Sequence, residues 1–188
     1  MLGVLPSPEK AIGSGFSHAG DEILLIGTTH PGDFGGSDYA KIIGGTVGGR
    51  PPALDLGRES ALIRFLVEMG ESGGLHSAHD PAGGGLAIAL SDSALQSGTG
   101  FSVALPQDVE PYRLLFSESP SRVLISVASK DAASVEAAAR REDLEVTRLG
   151  TVGGNDLNYG AFSVPLEVAK ETFERALPDR LSGSMVEA

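Results

Sequence analysis

Cysteine is absent from this chain of 188 residues, which excludes disulfide bonds and thiolate metal sites and is typical of proteins in a reducing cytoplasm. No apolar stretch approaches the roughly 20 residues that a membrane-spanning helix needs. Residues 1–6 carry no basic side chain of the kind that opens a signal peptide. We therefore expect a soluble, cytoplasmic protein that does not act at a membrane.

Positive charge is also scarce, since 14 Lys and Arg residues stand against 25 Asp and Glu residues and the net charge is −11. The basic residues are scattered along the sequence, which argues against nucleic acid as a partner. Small anionic metabolites remain possible ligands, because glycine-rich turns and helix N-termini bind them through backbone N–H groups.

Several common enzyme signatures are missing. The sequence contains no Gly-x-x-x-x-Gly-Lys-Ser/Thr phosphate loop, no Gly-x-Ser-x-Gly nucleophile elbow and no cysteine nucleophile. Residues 13–18 begin like a dinucleotide-binding loop but lack its third glycine. A P-loop enzyme, a Rossmann oxidoreductase and an ordinary hydrolase are therefore disfavoured.

Strand and helix patterns alternate along the chain, which predicts an α/β domain of the α+β type, with a mixed sheet and flanking helices. The continuous apolar run 23–27 predicts a strand buried on both faces. The other predicted strands are 75–79, 101–105, 123–127 and a hairpin of 146–152 with 157–164 that turns at 153–156. The predicted helices are 10–16, 38–43, 58–69, 83–95, 131–141 and 165–177.

The most informative stretch is 79–86, His-Asp-Pro-Ala-Gly-Gly-Gly-Leu. A glycine costs about 1 kcal/mol relative to alanine in a helix, so Gly83, Gly84 and Gly85 indicate a need for bare backbone. One interpretation is a phosphate group at the helix N-terminus, with Asp80 as a ligand for Mg²⁺. The alternative is a tight strand-to-helix turn that packs against the sheet.

Two further segments are candidates for contacts in a binding cleft. Residues 35–37 lead into a helix, either as a second phosphate-binding turn or as ordinary capping by the serine. Residues 116–122 combine serines, an acid and an arginine just before a strand, which suits a loop in a cleft or a solvated loop. The candidate nucleotide- or phosphate-binding residues of these two segments are Gly35, Gly36, Ser37, Glu118, Ser119 and Arg122.

Two of the histidines, His76 and His79, stand close enough in sequence to suggest a shared metal ion. A strand directs residues three apart to opposite faces, which argues against joint ligation. We therefore expect no zinc site at this pair. His18 and His30 lie in loops, where we expect solvated side chains.

Five segments resemble, in order and spacing, the C-terminal domain of the phosphoribosylformylglycinamidine synthase family, a branch of the AIR-synthase-related superfamily. The family patterns are G-D-x-I-x-L-L-G, G-G-S-E-Y, A-H-D-x-S-x-G-G-L-A-x-A-L, L-F-x-E-S-x-x-R and I-G-x-V. They correspond to residues 20–27, 35–39, 78–90, 115–122 and 149–152. The chain departs from them mildly, with Asp38 in place of the commoner Glu and Pro-Ala-Gly at 81–83 in place of Val-Ser-Asp/Glu.

The resemblance implies a ligase that amidates formylglycinamide ribonucleotide in purine biosynthesis with ATP, Mg²⁺ and ammonia from glutamine. It also implies that the catalytic histidine lies in another domain, so no catalytic residue is assigned here and we expect the isolated chain to be inactive. The implied partners are the remaining domains of the synthase, a glutaminase subunit and a small accessory subunit.

Duplication within the family makes Asp80, Glu118 and Ser119 counterparts of metal and substrate contacts in the other half of the synthase. Pro120 replaces a glutamine of that pattern, which weakens the case for substrate contact. Two alternatives remain: a structural nucleotide-binding or scaffold module, and another superfamily kinase or synthase such as thiamine-monophosphate kinase. The Gly-Gly-Ser-Asp-Tyr element at 35–39 argues against the second.

The same resemblance divides the chain into a remnant of a preceding N-terminal-type domain, 1–19, a C-terminal-type domain, 20–181, and a frayed tail, 182–188. The apolar residues of the remnant would be exposed without their neighbouring sheet, and such a patch usually recruits a partner. We therefore expect self-association. The residues concerned are Leu2, Val4, Leu5, Ile12 and Phe16.

Overall fold

The computed structural model describes residues 7–183, apart from the side chain of Glu9. The strands are β1 (Glu22–Ile26), β2 (Ser77–His79), β3 (Phe101–Val103), β4 (Val123–Val127), β5 (Val146–Val152), β6 (Asp156–Asn158) and β7 (Ser163–Pro165). The α-helices are α1 (Asp38–Gly44), α2 (Leu56–Ser72), α3 (Gly85–Ser97), α4 (Pro111–Phe116), α5 (Ala132–Arg141) and α6 (Leu166–Leu181), and a 3-10 helix spans Pro8–Lys10.

The strands within residues 7–183 form one sheet in the order β2-β4-β1-β5-β3-β6-β7. Neighbouring strands are antiparallel except β3 and β6, which run parallel, so the predicted mixed sheet is confirmed. The predicted hairpin of β5 with the following strand is wrong, because β3 lies between β5 and β6. Gly100, just before β3, exchanges backbone hydrogen bonds with Gly153 and Gly154 in the turn after β5. These bonds hold the turn beside the start of β3, so that β6 begins on the far side of β3.

Helices cover both faces of the sheet, and β1 shows why its sequence is apolar throughout. Ile23 and Leu25 face a core shared with α3, whereas Leu24 and Ile26 face a core shared with α2 and α5. Successive side chains of a strand point to opposite faces, so a strand covered on both sides needs an unbroken apolar run. The prediction of a strand buried on both faces is confirmed.

The longest helix, α2, begins at a cap that the apolar spacing does not show. The carboxylate of Asp55 accepts hydrogen bonds from the backbone N–H groups of Gly57 and Arg58. The helix therefore starts before the predicted position at residue 58, and it ends at Gly73 in the left-handed conformation. Its buried residues are Ala61, Leu62, Phe65 and Met69.

The segment before β1 packs onto the domain. Phe16 is 4% exposed in the core with α3, and Ile12 contacts the core on the other face. The backbone N–H of Ala78 donates to the carbonyl of Gly13, and that of Phe16 donates to the carbonyl of Ser93. The expectation that Ile12 and Phe16 are exposed is therefore wrong, and the predicted helix 10–16 is absent from this described segment.

Some expectations fall outside the described residues. They concern Leu2, Val4 and Leu5 and residues 184–188 of the predicted frayed tail. Among the helices of residues 7–183, none is long and apolar enough to cross a membrane.

Candidate functional site

Three loops meet at the end of the sheet where β1 and β2 finish. They are the turn between β2 and α3, the start of α1, and the loop between α4 and β4. The first and the third of these, together with α2, border an open groove of about 670 Å³, a volume within the range of small-molecule sites. The predicted site residues that line the groove are Asp80, Gly83, Glu118, Ser119 and Arg122.

The carboxylate of Glu118 joins two of these loops. Its Oε1 accepts a hydrogen bond of 2.8 Å from the backbone N–H of Gly84 and one of 2.9 Å from that of Asp38. Gly84 is the N-cap of α3, and Asp38 is the first residue of α1. One negatively charged oxygen thus lies at the positive ends of two helices, in the position that the sequence suggested for a phosphate group.

The glycine turn is bare because the backbone packs closely around it. Gly84 and Gly85 adopt the left-handed conformation, with φ of 77° and 66°. A Cβ atom at Gly85 would lie 2.6 Å from the carbonyl oxygen of Ser117 and 2.8 Å from that of Leu115. The structure therefore supplies the packing explanation for Gly85, the second of the two interpretations of this segment.

Residues 35–37 build the start of α1 and do not line the groove. The hydroxyl oxygen of Ser37 accepts a hydrogen bond of 3.1 Å from the backbone N–H of Ala40, which is ordinary N-capping. A Cβ atom at Gly35 would lie 1.8 Å from the carbonyl oxygen of Arg50. Gly36 donates its N–H to a backbone carbonyl of the following loop. These contacts explain the residue types by packing and capping.

Arg122 is buried under its own loop, with 4% of its surface exposed. Its guanidinium donates to the carbonyl oxygens of Ser119 and Ser117, at 2.9 and 2.8 Å, and to a threonine hydroxyl. Burial lowers the pKa of Arg122 to about 10, and the nearby carboxylates of Asp33 and Glu118 oppose this shift. The arginine therefore holds the loop together from inside.

The serines of the same loop are also engaged with the protein. Ser119 is buried, and its hydroxyl oxygen accepts a hydrogen bond of 2.9 Å from the backbone N–H of His30. Ser121 has a positive φ of 56° and donates its hydroxyl to Glu59 at 2.6 Å. The loop shape is thus fixed by internal hydrogen bonds.

The groove is acidic. Carboxylates of Glu59, Asp80 and Glu118 line it, and Arg122 is the one cationic residue among the lining residues of this part of the chain. The side chain of Asp80 is 83% exposed. Mg²⁺ at phosphate sites is held by one or two carboxylates together with phosphate oxygens and water, so Asp80 fits one coordination position.

Sequence reasoning missed an aromatic cluster around the start of α1 and the helix that contributes to it. The rings of Phe34, Tyr39, Tyr112 and Phe116 lie with centroids 5.2 to 6.0 Å apart. Helix α4 supplies the last two, and Pro111 at its first position is the sequence signal that could have revealed it.

The histidines lie in two separate places. His79 is 3.8 Å from Asp92, whereas His76 is hydrogen-bonded to Asp21 at 2.7 Å, so the expectation that His76 and His79 point apart is confirmed. His30 is exposed. The side chain of His18 is 63% exposed but not isolated, because its ring lies 4.4 Å from that of His76.

A mixed sheet between two helical layers, with a glycine turn that opens a helix beside a serine- and arginine-containing loop, defines a C-terminal domain of the AIR-synthase type. Residues 18–160 match the family described as AIR synthase related protein, C-terminal domain, and the chain belongs to this family.

Relatives of known name cover nearly the whole chain. Phosphoribosylformylglycinamidine synthase subunit PurL of Moorella thermoacetica is 40% identical over an alignment of 183 residues, and the match covers 95% of this chain and 25% of the relative. The chain therefore spans about a quarter of the length of the curated relatives that it matches.

Two solved structures of Thermotoga maritima PurL share the fold. For the complex with FGAR the TM-score is 0.75 at 22% identity, and the match covers 87% of this chain and 30% of the PurL chain. For the complex with ATP the TM-score is 0.67 at 22% identity, and the match covers 87% of this chain and 28% of the PurL chain.

Proposed function

We propose that this chain is the C-terminal portion of a phosphoribosylformylglycinamidine synthase, an enzyme that amidates formylglycinamide ribonucleotide with ATP and ammonia from glutamine. The observation that carries the proposal is the 40% identity of 95% of the chain to one quarter of a PurL subunit. The binding of FGAR and ATP by Thermotoga maritima PurL supports the substrate and the nucleotide.

Within the synthase, the chain serves as a supporting domain. Glu118 already bridges the starts of α1 and α3, and Arg122 and Ser119 are hydrogen-bonded to backbone groups. These hydrogen bonds hold the three side chains in internal contacts of the domain. This supporting role agrees with both the synthase proposal and the scaffold alternative. A domain that lacks the catalytic histidine still fixes the positions of the other domains of the synthase.

ATP and Mg²⁺ belong to the whole enzyme in this proposal. Three carboxylates line the groove beside one buried arginine, so a polyphosphate would need Mg²⁺ to reduce the repulsion. Asp80 would supply one oxygen ligand, and other domains would supply the opposing wall. In the whole enzyme, we expect Asp80→Asn to weaken nucleotide binding in the presence of Mg²⁺ but not in its absence, where loss of the carboxylate reduces the repulsion of the polyphosphate.

The proposed partners are the remaining domains of the synthase, a glutaminase subunit and a small accessory subunit. Exposed apolar side chains on α1 and α2 support contact with other domains, because large exposed apolar patches are typical of interaction surfaces. About three quarters of the relatives' sequence lies outside the matched region, and in the whole synthase we expect those other domains to cover these apolar side chains. The residues concerned are Ile42, Ile43, Ile63 and Val67, which are 53 to 75% exposed.

A fusion tests the proposal. The chain would replace the matching quarter of Moorella thermoacetica PurL in a bacterial strain that lacks its own synthase and needs purines. We expect the fusion to restore growth without purines, and the truncated relative without this chain to fail. Gly85→Val in the fusion is the matched negative control, because its side chain would meet two backbone carbonyls. A fusion that accumulates in folded form and still does not support growth would contradict the proposal.

The isolated chain provides a second test. With formylglycinamide ribonucleotide, ATP, Mg²⁺ and ammonia, we expect no amidine above the rate without protein, because the catalytic histidine implied by the family lies elsewhere. Thiamine monophosphate with ATP should likewise give no product. Turnover of either substrate that a substitution in this chain abolishes would refute the supporting role.

A further inference from the structure

A second cluster of ligand-type side chains lies at the opposite end of the sheet from the groove. One ligand atom from each of His18, Asp21 and His76 lies within 4.8 Å of the others. Oδ2 of Asp21 is 2.7 Å from Nδ1 of His76 and 4.0 Å from Nδ1 of His18. Two imidazoles, whose ring centroids are 4.4 Å apart, therefore lie beside one carboxylate, whose side chain is only 5% exposed.

The sheet register brings two of these side chains together. β1 and β2 flank β4, and Ile23 and Ser77 both lie opposite Ser126. Asp21 precedes β1 and His76 precedes β2, so both enter the sheet at the level where β4 ends. Their side chains meet there although 55 residues separate them in sequence.

The third ligand is held in place by the turn before β1. The hydroxyl of Ser17 donates to the carbonyl of His76 at 3.0 Å, and the backbone N–H of Asp21 donates to the carbonyl of His18 at 3.3 Å. These bonds fix the backbone on both sides of His18, whose exposed ring lies 4.4 Å from that of His76.

We propose that His18, Asp21 and His76 form a binding site for a divalent transition-metal ion of the zinc class. Two imidazole nitrogens and one carboxylate oxygen are a donor set that Zn²⁺ binds, with water in the fourth position. Bonds of about 2.1 Å in a tetrahedron place ligand atoms roughly 3.4 Å apart, so small side-chain rotations suffice. The ion would replace the hydrogen bond between Nδ1 of His76 and Oδ2 of Asp21, with the ring proton of His76 on Nε2.

Such an ion would connect the segment before β1 to the start of β2. The unfolded chain does not hold the three ligands together, so the ion binds the folded state preferentially and stabilises it. The site is independent of the groove and of the proposed synthase function, since it uses none of the groove residues.

Calorimetric titration of the chain with Zn²⁺ at neutral pH tests this proposal. We expect one ion per chain, with affinity at least about tenfold weaker in His18→Asn and His76→Gln and unchanged in the control His30→Asn. Zn²⁺ at a hundredfold excess over Kd should raise the Tm of the wild-type chain and the control by about 5–10 °C, and the Tm of His18→Asn by much less.

His18→Asn keeps the test decisive, because the side chain is exposed and its melting curve without metal should match that of the wild-type chain. Equal affinity for Zn²⁺ in the wild-type chain, His18→Asn and His76→Gln would overturn the proposal. So would a wild-type chain whose Tm does not respond to Zn²⁺.

Discussion

Glu118 acts as an internal anion for the groove, since its Oε1 accepts hydrogen bonds from the start of α1 and the start of α3. Hydrogen bonds to a charged group contribute about 1.5–3 kcal/mol each, and water can replace part of that at a groove. We expect Glu118→Ala to lower the unfolding free energy by about 2 kcal/mol, or the Tm by roughly 4–8 °C. Thermal melts followed by circular dichroism would measure this loss.

Glu110→Ala is the control for Glu118, because Glu110 is exposed and its side chain caps no helix. The backbone N–H groups that lose their acceptor in the Glu118 variant should bind sulfate, so added sulfate should raise the Tm of this variant more than that of the wild-type chain. Equal losses in the two variants would show that Glu118 does not bridge the helices.

A bulky substitution at Gly84 does not distinguish the phosphate-binding interpretation of the glycine turn from the packing interpretation. At a φ of 77°, a left-handed conformation costs a residue with a Cβ atom about 1–2 kcal/mol, so Gly84→Val would destabilise the domain under either interpretation. Gly84→Ala and Gly98→Ala form a matched pair, because both positions have positive φ but only Gly84 has a side chain, that of Ile88, within reach of the new Cβ.

We expect Gly98→Ala to cost about 1 kcal/mol, which is the conformational part alone. Gly84→Ala should cost about 1 kcal/mol more, because its Cβ would lie 2.3 Å from Cγ1 of Ile88, which must move. Chemical denaturation of both variants measures the difference. Identical unfolding free energies would mean that Ile88 does not restrict the turn.

Arg122 is expected to be worth more to stability than an exposed arginine. Arg122→Met would leave the buried carbonyls of Ser117 and Ser119 without a donor, at a cost of about 2–4 kcal/mol. Arg113→Met is the control, because Arg113 makes an exposed hydrogen bond of 3.2 Å and should cost less than about 1 kcal/mol.

The difference between the wild-type chain and Arg122→Met should not change from pH 6 to 9. With its pKa lowered to about 10, Arg122 is charged in the folded and the unfolded chain across that range. Above that range the unfolded chain binds more protons than the folded chain, so this group's contribution becomes more favourable with rising pH only there. A difference that varies strongly between pH 6 and 9 would contradict this assignment.

At the scale of elements, α2 provides the clearest test of the packing. Phe65 is fully buried against the sheet, whereas Ile63, two residues earlier on the same helix, is 53% exposed. We expect Phe65→Ala to cost about 3–5 kcal/mol and Ile63→Ala less than about 1 kcal/mol, measured by urea denaturation. Similar costs would mean that α2 does not pack in the described orientation.

The sequence predicted best the strands that are buried on both faces of the sheet. β1 and β4 are covered on both faces, and their apolar runs, unbroken over residues 23–26 and interrupted only by Ser126 in β4, are visible in the sequence. The short helix α4 was missed because it has few residues to set a period. The partner of β5 was wrong because strand pairing across a sheet depends on loops and on a third strand, β3, more than 40 residues earlier.

For the whole molecule, self-association remains a prediction, although its basis has changed. Ile12 and Phe16 pack on the domain, but α6 carries Phe173 and Leu177 four residues apart and 66% exposed. We expect sedimentation at high micromolar concentration to detect dimers or larger species, and Phe173→Glu with Leu177→Glu to weaken them. A monomer at that concentration in the unmodified chain would refute self-association.

The sequence alone determined the fold class and the family, because both follow from apolar periodicity and from the order of motifs along the chain. It also determined that the groove segments need glycine, serine and acid, since those residue types have strong local preferences. Only the tertiary structure decided their use. Glu118 reaches Gly84 and Asp38 across 34 and 80 residues. Asp21 and His76 meet because β1 and β2 flank the same strand, and the turn before β1 places His18 beside them. Contacts of this kind depend on sheet order and register, which no local pattern specifies.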